Sequence, residues 1–168
     1  RAAYLRDDEV RAVRLGDGIY ESFDLVGYVR YDLHGLAVVH AEEQNSQTST
    51  VINEGTLWKY LDNNTDPASG LSSLTAWTTP DFNDSAWKSA AGKFGAKRGA
   101  LTSFNGFTPT VLLQQYQDQE NSKCTPTFFF RTTFNAQNID QITSVTGTLF
   151  HDDAVAVYLN GQLITSAD

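Results

Sequence analysis

From Ala154 to Leu159 the chain reads AVAVYL, with Val155, Val157 and Leu159 on one face at a period of two and Ala154, Ala156 and Tyr158 on the other. Both faces are apolar, which predicts a strand covered on two sides. Asn160-Gly161 follows at once, and both residues tolerate positive φ. A two-residue type I′ turn and a returning strand over Gln162 to Thr165 are therefore expected. The preceding arm, Ile142 to Phe150, is rich in Thr, Val, Ile and Phe and ends in the carboxylate pair Asp152-Asp153. Its composition is that of a β-strand with no helical period.

Further strand patterns lie upstream. Leu57 to Leu61 predicts a strand, and Asp62-Asn63-Asn64-Thr65-Asp66-Pro67 breaks it into a loop. Pro80 to Ser85 is a second loop, with Asp84-Ser85 placed to cap a short turn leading to Trp87. Gly92, Gly95, Gly99 and Gly106 predict irregular chain, and Gln114 to Lys123 is the most polar run and reads as an exposed loop. Residues 2–15 have no clean period and are left unassigned. Tyr28 to Asp32, Leu33-His34-Gly35 and Leu36 to Ala41 read as strand, tight turn and strand.

Composition places a junction after that hairpin. Every basic residue up to position 46 is arginine, whereas five Lys and two Arg follow, and the polar run from Gln44 to Thr50 resembles a link between packed units. The expected division is an N-terminal β-hairpin segment, 1–46, as the end of a preceding module, and a second unit, 47–168. No internal repeat is visible.

The 168 residues are 40% hydrophobic and 12% aromatic, enough for a core. A net charge of -8 with scattered Lys and Arg leaves no basic stripe for a phosphate backbone, so nucleic acid is excluded as a partner. No apolar run approaches the roughly 20 residues of a membrane span. The chain opens at Arg1 without methionine and reads as a mature or excised piece. Cys124 is alone, which excludes an internal disulfide and a cysteine-based zinc site.

Candidate chemistry is sparse. GxSxG, GxxxxGK[ST] and HExxH are all missing. His151-Asp152-Asp153 cannot converge on a metal unless the strand bends, because neighbours on a strand face opposite sides. The two aspartates read as the end of a strand, and His34 and His40 as ordinary strand residues. Asp62-x-Asn64-x-Asp66 places oxygen ligands at alternate loop positions, as a hard cation such as calcium requires. The twelfth position is Ser73, so this is no EF-hand; a solvated turn is the alternative. Trp77, Asp81, Asn83 and Asp84 form a second candidate set, in which an indole face stacks on a sugar ring and the polar groups bind its hydroxyls. Against it, tryptophan in an all-β domain, whether Trp58, Trp77 or Trp87, is usually core. Asn63-Asn64-Thr65 and Asn83-Asp84-Ser85 match the glycosylation sequon.

Taken in order, LWKYLD at 57–62, Trp77, PDFNDSAW at 80–87, FRTTF at 130–134 and DDAVAVYLNG at 152–161 resemble a family of galactose-binding-like jelly-roll modules. These are appended to secreted bacterial enzymes and surface proteins, metallophosphoesterases among them. The likeness covers about residues 51 to 165. It departs at Ala154, where the family usually has glycine, and at the chain end, where the family continues for several strands. It implies an all-β antiparallel jelly-roll β-sandwich, incomplete at its C-terminus or completed by strands from residues 1–46 or from another chain. It also implies secretion or a cell-surface location and a structural calcium. In a protein resembling bacterial modules the two sequons read as chance. The expected function is a non-catalytic accessory module that binds glycan or packs against a neighbouring catalytic domain. The alternative is a structural subunit of an extracellular surface structure completed by strand addition. An enzyme is least favoured.

Overall fold

The computed structural model describes residues 8–10, 22–30, 34–43, 48–104, 106–118, 120, 122–136, 142–152 and 154–167; for 8–10, 22–30, 34–43, 48 and 143 it describes the backbone. The chain is all-β. Its strands are β1 (Asp8–Val10), β2 (Ser22–Arg30), β3 (His34–Glu43), β4 (Thr48–Ile52), β5 (Leu57–Leu61), β6 (Lys88–Ala91), β7 (Phe94–Gly95), β8 (Val111–Leu112), β9 (Thr127–Asn135), β10 (Ile142–Phe150), β11 (Ala154–Leu159) and β12 (Gln162–Ala167). Among the described residues there is no α-helix, and one 3-10 turn spans Ala76–Thr78.

The strands form two sheets. One has the order β1-β10-β3-β7-β8, with β4 also on β3; the other has the order β12-β11-β2-β9-β5-β6. All pairings are antiparallel except β7 with β8. Residues of both sheets share two apolar clusters, as in a β-sandwich. Tyr60, Phe94, Leu113, Phe128, Phe130 and Val155 make the first; Ile52, Phe134 and Ala136 make the second. Phe94 joins the sheets through ring contacts, its centroid 5.1 Å from both Tyr60 and Phe130.

Strand alternation decides what lies on each face. In β9, Phe128, Phe130 and Phe134 enter the shared clusters, while Phe129 joins a third cluster with Trp77, Trp87 and Tyr158. The same split runs through β11, where Val155 and Val157 face the sheet-to-sheet core and Tyr158 meets the third cluster. The expected two-sided cover of β11 is therefore present. Its outer cover is the loop between β5 and β6. The predicted turn is present as well, with Asn160 at φ 48° and Gly161 at φ 83°. β12 runs to Ala167, beyond the expected Thr165.

Two expectations are corrected. The segments read as an N-terminal hairpin do not pair with each other: β2 inserts between β11 and β9 in the second sheet, and β3 pairs with β10, β4 and β7 in the first. β2 has both its partners, and β3 its partners β10 and β7, from distant sequence, and such long-range registers outweigh the local turn signal at Leu33-His34-Gly35. Both sheets thus contain strands from either side of residue 46. The polar run from Gln44 to Thr50 is also not wholly a link, because β4 starts at Thr48. Residues 2–7, 11–21, 31–33 and 44–47 lie outside the described residues, so the expected strand end at Tyr31 and Asp32 and the turn residue Leu33 are among those not described.

Candidate functional site

The excursion from Asp62 to Trp87 carries both residue sets singled out in the sequence, and it is fixed at each end by an ionic anchor. At the start, Asp62 is 1% exposed. Its Oδ2 accepts the Gln114 backbone N–H at 3.0 Å, and Lys88 Nζ stands 2.8 Å from Oδ1. Lys88 meets Oδ1 as a charge and not as an aligned donor. The next residues fold on themselves. Asn63 Oδ1 accepts the Thr65 N–H at 3.2 Å and Asp66 Oδ1 accepts the Ala68 N–H at 2.8 Å. Asn64, at φ 60°, donates its Nδ2 to Gln117 Oε1 at 3.0 Å.

The second anchor is Arg131. It projects from β9 to the outer face and is 4% exposed. Its Nε donates to Asp84 Oδ2 at 2.9 Å, Nη1 to the Trp77 carbonyl and Nη2 to the Thr79 carbonyl at 3.2 Å. Its guanidinium also lies 5.3 Å from the Phe82 ring centroid. A planar fork with donors on several sides fits three acceptors spread over eight residues of loop, which a lysine could not do. Thr78 Oγ–H and Thr79 Oγ–H close the 3-10 turn on the Thr75 and Ala76 carbonyls at 2.7 and 2.9 Å.

This geometry separates the members of the sugar-binding set. Trp77 is 3% exposed, its ring packed edge-on to Phe129 at 5.0 Å and to Tyr158 at 6.1 Å, and 6.4 Å from Trp87. It has no open face for a sugar. The Asp84 side chain goes to Arg131 instead of capping the turn, which closes on the Asp84 carbonyl through the Trp87 N–H at 2.9 Å. Asp81 and Asn83 are exposed. The set is thus split between core and surface, and its polar members lack the aromatic platform.

The calcium set fares similarly. Asp62 is buried against Lys88, whereas Asn64 bonds to the Gln117 side chain and Asp66 holds a local turn at Ala68. Among the described residues no three His, Cys, Asp or Glu side chains gather as a metal site. His151 and Asp152 are partly buried after β10, and Asp153 lies outside the described residues. His34 and His40 fall in β3, of which the backbone is described. Cys124 is exposed, bridging to Tyr116 through the backbone. The polar run around it is less open than expected: Gln115 is buried, its Oε1 accepting the Gly99 N–H at 2.7 Å.

Sequence reasoning missed Arg131. The available signal was one arginine inside the apolar run FFFRTTF, a position that needs a carboxylate or carbonyl partner if buried.

Fold and site together define an all-β protein of antiparallel sheets with an anchored loop layer on one of them. No family model, curated protein or solved structure matches this chain.

Proposed function

We propose that the chain is a non-catalytic accessory module of a secreted or cell-surface protein, acting by packing Leu71 and Leu74 of its loop layer against a neighbouring domain. One observation carries this reading: the side chains best suited to chemistry are used up inside the fold, with Arg131 and Asp84 joined and Trp77 buried. Between its two anchors the layer also offers apolar contact outward. Leu71 and Leu74 are 45% and 81% exposed on a loop whose later part is fixed by Arg131. An ordered loop presenting leucine binds with little ordering entropy to offset.

A galactose-binding-like jelly roll is the finer topology supported by the strand pairing. β2 pairs with β11 in one sheet while β3 pairs with β10 in the other, a nested order that a rolled antiparallel ribbon produces. The docking role is tested in the polypeptide that carries the module, by scattering and limited proteolysis of wild type against Leu71→Asp/Leu74→Asp. Separation of the modules only in the variant supports docking, and modules already independent in wild type contradict it. Retention of wild type on a polysaccharide resin, lost in Asp81→Ala/Asn83→Ala, would favour glycan binding instead.

A structural calcium at Asp62, Asn64 and Asp66 would compete with Lys88 for Asp62 and with Gln117 for the Asn64 carboxamide, while Asp66 could offer the oxygen that its turn does not use. Calcium that raises Tm in wild type but not in Asp66→Ala would place an ion there. Equal melting curves in calcium and chelator would remove it.

A further inference from the structure

We propose that Asn63 and Asn83 are acceptor sites for N-linked oligosaccharide, an inference that rests on the export reading above. Each begins an Asn-x-Thr or Asn-x-Ser triplet with no proline at the middle position, Asn63-Asn64-Thr65 and Asn83-Asp84-Ser85. The fold treats both triplets alike. All four terminal residues, Asn63, Thr65, Asn83 and Ser85, are exposed. In each triplet the asparagine Oδ1 accepts the backbone N–H of the hydroxyl residue, at 3.2 Å from Thr65 and 3.1 Å from Ser85.

That turn fixes the carboxamide. Its oxygen points back to the chain, so Nδ2 points away, and an N–H at the oxygen draws charge from the amide and makes an Nδ2 proton easier to lose. Asn64 differs: its Nδ2 is spent on Gln117 Oε1, and its second following residue is Asp66. Asn53 gives a natural control. It is exposed and makes the same turn, with its Oδ1 2.8 Å from the Gly55 nitrogen, but Gly55 brings no hydroxyl.

The co-reactant is an oligosaccharide carried on a polyprenyl diphosphate. Nδ2 attacks the anomeric carbon and an N–C bond forms. The C–O bond to the diphosphate breaks, the diphosphate leaves with the electron pair, and the amide proton passes to a base of the transferase. No electrons change hands otherwise. The anchored loop then carries the sugar without rearrangement, because neither carboxamide holds any other element of the fold in place.

The test uses protein isolated from its own source. Trypsin releases one peptide, Tyr60 to Lys88, that contains both triplets and no internal Lys or Arg. The inference expects this peptide heavier by its oligosaccharides, and after a glycan-removing amidase it should read Asp at positions 63 and 83. Asn63→Gln and Asn83→Gln should each lose one glycan, and Asn53→Gln none. Exported protein whose peptide is unmodified at both positions overturns the inference alone. Protein confined to the cytoplasm overturns the export reading, and this inference with it.

Discussion

Arg131 concentrates more of the outer face on one side chain than any other polar residue described. Replacing it with alanine removes the donors to Asp84 and to two loop carbonyls, and leaves the buried Trp77 carbonyl and the part-buried Asp84 carboxylate without their partner. Breaking a buried pair from one side costs about 3 to 5 kcal/mol. Denaturant unfolding of Arg131→Ala should therefore show a loss of about 3 kcal/mol, and Arg131→Lys should recover little of it. Trp77→Ala should cost about 3 to 5 kcal/mol as a core truncation; an exposed sugar platform would cost almost nothing, so the same unfolding experiment separates the two roles. A core place for the indole was legible in the sequence, and the partners that bury it were not. Burial depends on Phe129 and Tyr158, which lie far along the chain, and on an arginine whose partner is 47 positions away. Asp118 tests a local feature. Its carboxyl is held below the ordinary range, first by the Ser122 hydroxyl, against a slight desolvation, then by the N–H groups of Ser122 and Lys123 and the Lys123 charge. Because the folded value is depressed, its support is complete above the unfolded value of about 3.9 and is lost as pH falls through the folded value. The Ser122 and Lys123 amides should lose their protection from exchange over that acid range and keep it at neutral pH.

Several strands are set by local pattern alone. β5, β10 and β11 fall where alternation and composition placed them, and the β11–β12 turn has the φ values that Asn-Gly predicts. These elements are specified by neighbours in sequence, which is why the sequence suffices for them. Gly161 has a second constraint that only the fold reveals: a Cβ there would lie 3.4 Å from Thr79 Cγ2, so the turn also packs under the loop layer. Gly161→Ala should destabilise by about 1 kcal/mol from the backbone alone. Gly92 is tighter still. At φ 122° its Cβ would fall 2.4 Å from Thr110 Oγ1, the atom that accepts the Lys93 N–H at 3.0 Å. Thermal melting of Gly92→Ala should show a larger loss than Gly161→Ala, and Gly92→Ala/Thr110→Ala should not recover it, since the backbone strain remains and the Lys93 partner is gone.

For the whole molecule, what was illegible is which strands meet. β2 pairs with β11 through a register from Ala154↔Arg30 to Leu159↔Leu25, and with β9 from Ser22↔Asn135 to Arg30↔Thr127. Pairings between strands so far apart in sequence leave no trace in local periodicity, whereas Leu33-His34-Gly35 offers a plausible tight turn, yet β2 and β3 do not pair as a hairpin. The central claim is that strands from both ends of the chain build each sheet. Removing residues 1–46 while keeping 47–168 tests it most directly, because the deletion takes β2 from between β11 and β9 and takes β3 from the middle of the other sheet. Equilibrium unfolding of the truncated chain should show no cooperative transition. A sharp transition with stability equal to that of the full chain would contradict the account.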